Sequence, residues 1–100
     1  MRTTKIYFTY ILTNSNNTVL YVGMTSNLEQ RVHQHKIKFF EGFTKRYNID
    51  KLVYFETFTY VKDAIKREKQ IKSYNRSKKN NLIENSNTDW KELKPPKNVY

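Results

Sequence analysis

Residues 5–13 (KIYFTYILT) constrain the fold more than any other stretch. The run is β-branched and aromatic, so it is built for a strand. In a strand Ile6, Phe8, Tyr10 and Leu12 fall on one face and Tyr7, Thr9 and Ile11 on the other. Both faces are largely apolar, so the strand must be central and covered from two sides. Residues 14–17 (NSNN) are turn chemistry, because Asn tolerates left-handed backbone. Residues 18–22 (TVLYV) make a second strand, and the pair reads as a β-hairpin that Gly23 ends.

Ser26 followed by Glu29 fits a capping box, which predicts a helix from about Asn27 to Gly42. Leu28, Val32, His35 and Phe39 share its inner stripe. Residues 43–50 (FTKRYNID) read as a basic, aromatic loop, and residues 52–58 (LVYFETF) as a third strand. Thr59 is a candidate cap for a helix over 60–74, with Val61, Ala64, Ile65 and Ile71 inward and Glu68 inside that stripe. A further helix over 77–84 turns Leu82 and Ile83 inward. The expected class is α/β (α+β): a three-stranded antiparallel sheet flanked by helices, in the order β-β-α-β-α-α. One domain is expected over residues 1–93, with Trp90 docked back on the core and a frayed tail over 94–100.

Composition narrows the partner. Nineteen Lys and Arg oppose nine Asp and Glu, a net charge of +10, and aromatics make up 15% of the chain. That combination points to a polyanion, nucleic acid above all, against a merely soluble basic protein. No helix pairs a basic face with a Trp/Leu-rich one, which argues against a membrane surface. Cysteine is absent, so disulfides and thiolate metal sites are excluded. No apolar run approaches the about 18 residues of a membrane span, and the first residues lack the apolar core of a signal peptide. A cytoplasmic protein is expected.

Glu68 is the most informative single residue. A carboxylate inside an apolar stripe must be paired or bind a cation. Lys72, four residues on, is one partner; a metal ion or a catalytic role is the other reading. Arg31 and His35 are one helical turn apart, whereas His33 and His35 diverge and cannot grip one metal. No zinc spacing, P-loop or Ser/His/Asp pattern is present. Residues 62–79 hold eight Lys and Arg against two acids, which reads as a solvated helix or a phosphate-tracking stripe. Lys45, Arg46 and Tyr47 add further basic and aromatic groups.

In order and spacing these residues resemble the GIY-YIG nucleases, specifically the small single-domain, UPF0213-like branch related to the UvrC-type nuclease domain of excision repair. The first motif corresponds to Phe8-Thr9-Tyr10 and the second to Tyr21-Val22-Gly23. The family arginine falls on Arg31, a Tyr or His position on His35, the metal-binding glutamate on Glu68, and a downstream asparagine on Asn80 or Asn81. The likeness covers about residues 5–93. Phe8 and Thr9 depart from the first motif, and Met24 stands where repair-type members carry a lysine thought to activate the tyrosine.

The resemblance implies hydrolysis of phosphodiesters, in DNA before RNA, with one Mg²⁺ or Mn²⁺ ion on Glu68. Tyr10 and Tyr21 would position the attacking water, with Tyr21 accepting its proton, while Arg31 would clamp the phosphate and His35 would relay that proton or hold a tyrosine hydroxyl. Gly23 would let backbone approach phosphate, and Lys45, Arg46, Lys69, Lys72, Arg76, Lys78, Lys79 and Asn80 would hold the nucleic acid. Without a lysine at position 24, activation must come from the metal's water, Arg31, His35 or Lys45. Nothing reads base edges, so structure should guide cleavage more than sequence. The competing expectation is a nucleic-acid-binding adaptor of the same fold.

Overall fold

A computed structural model describes residues 5–97. Strands β1 (Tyr7–Thr13) and β2 (Leu20–Thr25) form the hairpin, followed by α1 (Leu28–Lys36), a single turn α2 (Phe43–Arg46), β3 (Lys51–Phe58), α3 (Val61–Ser73) and α4 (Arg76–Ser86). The sheet is antiparallel in the order β2-β1-β3, so β1 is its central strand. Its residues from Phe8 to Thr13 are all buried. The two apolar faces are served separately. Phe8, Tyr10 and Leu12 pack with Leu28 and Val32 of α1 and with Ile49 and Leu52. Ile11 packs with Val22, Val53, Ile71 of α3 and Ile83 of α4. A bulge in β3 between the partners of Ile11 and Leu12 lets Val53 and Tyr54 both serve that second face.

Polar anchors fix the helices on this frame. Thr9 donates its buried hydroxyl to the carbonyl of Ala64 at 2.8 Å, tying α3 to β1. Opposite Thr9 on β3 lies Glu56, which accepts a fork from Arg67 of α3 through Nε at 3.0 Å and Nη2 at 2.9 Å. Tyr54 donates to the same carboxylate. Burial alone would raise the Glu56 pKa, but the bonds from Arg67 and Tyr54 outweigh it and hold the carboxyl low. Burial and the Glu56 bond push the Tyr54 phenol up to about 12. Buried Asn87 bonds the Val53 carbonyl, and Leu93 N–H donates to the Leu52 carbonyl, which brings the chain after α4 along β3. Trp90 packs against the second core, as expected. Residues 94–97 carry no regular structure, and the last three residues of the predicted tail lie outside the described ones. No helix among the described residues is long and apolar enough to cross a membrane.

Local details correct the sequence reading. Gly23 lies inside β2, paired with Tyr10, and does not end the strand. The α1 cap is Asn27, whose side chain accepts from Gln30 N–H, in place of Ser26. Helix α1 stops at Lys36, six residues before Gly42, and the next turn passes through Lys38 at a φ of 57°. Phe39 therefore leaves the inner stripe and stands 62% exposed. The predicted loop at 43–50 contains the turn α2, with Gly42 at a φ of 91° before it, a backbone that favours glycine. Helix α3 follows Tyr60 with no side-chain cap, so Thr59 does not perform that role. The turn before β2 does place Asn17 in left-handed backbone, at a φ of 58°.

Candidate active site

The hydroxyl of Tyr10 is the centre of the site. Tyr10 is fully buried, and its hydroxyl meets no hydrogen-bond partner among the described residues. Its position depends on Gly23 opposite: a Cβ there would lie 2.5 Å from the hydroxyl and 2.6 Å from the ring carbon that bears it. The space left by the missing side chain is thus filled by the tyrosine itself. Burial drives the Tyr10 phenol above its ordinary pKa, and neighbouring Tyr21 adds to the effect. The Arg31 guanidinium pulls the other way and the Glu68 carboxylate pushes with burial, so both charges act on this hydroxyl.

From Tyr10 a succession of rings leads outward. Tyr21 of β2 lies 6.4 Å from Tyr10 between ring centres, His35 of α1 lies 5.6 Å from Tyr21, and Phe40 lies 4.8 Å from His35. Arg31, one turn before His35 on α1, stacks on Phe40 at 5.4 Å. Together with Glu41, Phe43 and Thr44, the groups Tyr21, Arg31, His35 and Phe40 line a cavity of about 230 Å³. His35 is buried, and its Nδ1 has no partner among the described residues. Burial lowers its pKa to about 4, with Arg31 adding to the shift and Asp50 opposing it. The imidazole is therefore neutral at pH 7 and keeps a lone pair.

Glu68 reaches the site from α3. Its carboxylate is paired with Lys72 at 3.2 Å, with side-chain exposures of 20% and 53%. Glu68 thus has the helix partner that one sequence reading gives it, and its charge also raises the Tyr10 pKa. Met24 is half-buried and pairs with Thr9, on the face that α3 covers.

The residues expected to hold nucleic acid scatter in role. Lys45 pairs with Glu41 at 3.4 Å, and Arg46 lies over Tyr47 at 5.6 Å. Lys69 is exposed and Lys79 half-exposed, with no ion pair among the described residues. Lys72 is held by Glu68, and Lys78 lies 4.2 Å from the Tyr74 ring centre. Arg76 is committed to the hairpin turn: it donates to the carbonyls of Asn17 and Thr18 at 2.6 and 2.9 Å, and to Asn80 Oδ1 at 2.9 Å. Of the cavity wall, Phe43 and Thr44 open the stretch that reads as a basic, aromatic loop in the sequence, whereas nothing in the sequence singles out Phe40 and Glu41.

The fold and the site define a class. The family model for the GIY-YIG catalytic domain matches residues 6–81. The chain belongs to the GIY-YIG family. Within it, the chain is similar to a UPF0213 protein of Haloquadratum walsbyi, 37% identical over 78 residues that span 78% of this chain and 86% of the relative. It is also similar to a UPF0213 protein of Staphylococcus haemolyticus, 35% identical over 78 residues and 94% of that relative's length. The solution NMR structure of a UPF0213 protein from Bacillus halodurans has the same fold, with a TM-score of 0.56 at 22% identity over 87% of this chain and 92% of that one.

Proposed function

We propose that this protein is a metal-dependent endonuclease that hydrolyses phosphodiester bonds of nucleic acid, DNA before RNA, guided by the substrate's structure. A cytoplasmic setting and a role in DNA repair go with this reading. The observation that carries it is the convergence of Tyr10, Tyr21, Arg31, His35 and Glu68 from four separate elements, within a family defined by its catalytic domain.

The donor set fits a hard divalent ion. Among the described residues no cluster of three or more Asp, Glu, His or Cys exists. Mg²⁺ is commonly held by one or two carboxylates with water and substrate phosphate, so Glu68 alone suffices once Lys72 swings away. Mg²⁺ or Mn²⁺ bound there would neutralise charge gathering on the phosphate. Arg31 clamps the phosphate by charge-assisted hydrogen bonds. Tyr10, which holds its proton tightly, orients the water as a donor. Tyr21 takes the water's proton as it hands its own phenolic proton to neutral His35, which ends the step as imidazolium.

The test is cleavage at low salt with Mg²⁺ or Mn²⁺ against EDTA, on plasmid, single strands, flaps and RNA. Native protein should cut, and EDTA, Glu68→Ala or Arg31→Ala should each abolish cutting in a folded protein. Two observations favour a second reading as an adaptor: Glu68 already has a cationic partner, and Tyr10 keeps its proton. Salt-sensitive binding without metal-dependent cutting of any substrate would establish that reading.

A further inference from the structure

The chain leaving α1 exposes more apolar surface than its core requires. Phe39 is 62% exposed, Phe43 50% and Tyr47 41%. They recur every four residues, and the Phe43 and Tyr47 rings lie 4.9 Å apart. Lys38 precedes the three rings, and Lys45 and Arg46 fall between Phe43 and Tyr47. These cations line one open groove of about 750 Å³ with Phe43, Tyr47 and Glu41. Lys38 pairs with Asp50 at 3.9 Å and Lys45 with Glu41 at 3.4 Å. Aromatic faces between cations are the composition of a surface that stacks bases while it holds phosphates.

The groove runs into the catalytic cavity. Phe43 and Glu41 line both. Phe39 meets Phe40 edge to face at 5.3 Å, and Phe40 meets His35 in the cavity at 4.8 Å. A strand with one phosphate at Arg31 therefore has its neighbouring nucleotides over Phe43 and Tyr47. In a duplex the base faces are already stacked on one another, and rings of this kind find nothing to stack on. Only unpaired nucleotides offer a free face.

The geometry points to a platform, built on Phe39, Phe43 and Tyr47 beside Lys38, Lys45 and Arg46, that stacks the unpaired bases of a single-stranded nucleic acid and leads that strand to Arg31. This inference rests on the nucleic-acid reading above and names the substrate class: strands, flaps or frayed ends with unpaired nucleotides next to the bond. The rings read no base edge, so the platform is tolerant of sequence.

Binding in EDTA tests the platform without turnover. Fluorescence anisotropy would compare a labelled dT 12-mer, an rU 12-mer, a 12-mer of abasic sites and a 12-base-pair duplex. The single strands should bind more tightly than the duplex and the abasic strand. Stacking of about 1–3 kcal/mol per base predicts that Phe43→Ala and Tyr47→Ala each weaken single-strand binding by about 5- to 150-fold. Duplex binding should stay within about twofold. Lys45→Ala and Arg46→Ala should weaken strand and duplex together. Preference for rU over dT, or the reverse, assigns the sugar and supports the platform either way. Duplex binding equal to or tighter than single-strand binding overturns it, as does single-strand affinity indifferent to Phe43→Ala and Tyr47→Ala in folded variants. Ring-dependent binding with no cleavage under any metal would overturn the nuclease alone. Cleavage that ignores the rings would overturn the platform alone.

Discussion

Tyr10 and Gly23 form one functional unit, because the glycine exists to admit the tyrosine. A methyl group at position 23 would overlap the phenol, and the ring is fully buried with no free direction to move. Gly23→Ala should therefore cost about 1–3 kcal/mol in urea unfolding and shift the Tyr10 hydroxyl away from Arg31 and Glu68. Its loss of cleavage should exceed its loss of stability. His35 makes a second prediction at this scale. Its folded pKa is about 4 against 6.5 unfolded, so above pH 6.5 it is neutral in both states and its contribution is complete. As pH falls, the unfolded chain takes up a proton that the folded site refuses, and stability declines until about pH 4. The loss should be on the order of 2–3 kcal/mol, and His35→Gln should flatten that part of a Tm-against-pH curve.

Helix α3 shows how two adjacent residues divide the work: Arg67 anchors, and Glu68 faces the site. The strand β1 repeats the division, with Thr9 tied to Ala64 and Tyr10 facing the site. Arg67→Lys would lose the two-pronged geometry and leave half-buried Glu56 poorly paired, a cost of about 1–3 kcal/mol in urea unfolding. The stripe of Ala64, Ile65 and Ile71 made α3 legible in the sequence, because period and burial coincide there. The end of α1 was not legible. Phe39 continues the apolar period, yet Ile37 closes the helix and Lys38 turns left-handed, so the ring goes outward. A pattern of apolar residues cannot distinguish a core face from a stacking surface when a non-glycine residue makes the turn.

At the scale of the whole molecule, the covered central strand and the order of elements were readable because β1 is apolar on both faces, and only a three-layer arrangement buries both. The distribution of charge was not, since composition counts cations without saying which are already engaged. Nineteen basic residues suggest a broad polyanion-binding surface, yet Arg76, Arg67 and Lys72 are each held by partners within the protein. Lys69 and Lys79 have no such partner among the described residues and are available to phosphate. Salt dependence separates the two kinds. The slope of log affinity against log salt falls by about 0.7–0.9 for each phosphate contact removed. Lys69→Ala and Lys79→Ala should each lower the slope by about that amount when binding is measured in EDTA between about 50 and 200 mM salt. Arg76→Ala should leave the slope unchanged and speed hydrogen exchange in the β1–β2 turn, because its bonds go to the Asn17 and Thr18 carbonyls. Should Arg76→Ala reduce the slope as the lysine variants do, the guanidinium leaves the turn to meet phosphate, and the bound protein has a looser hairpin than the free one.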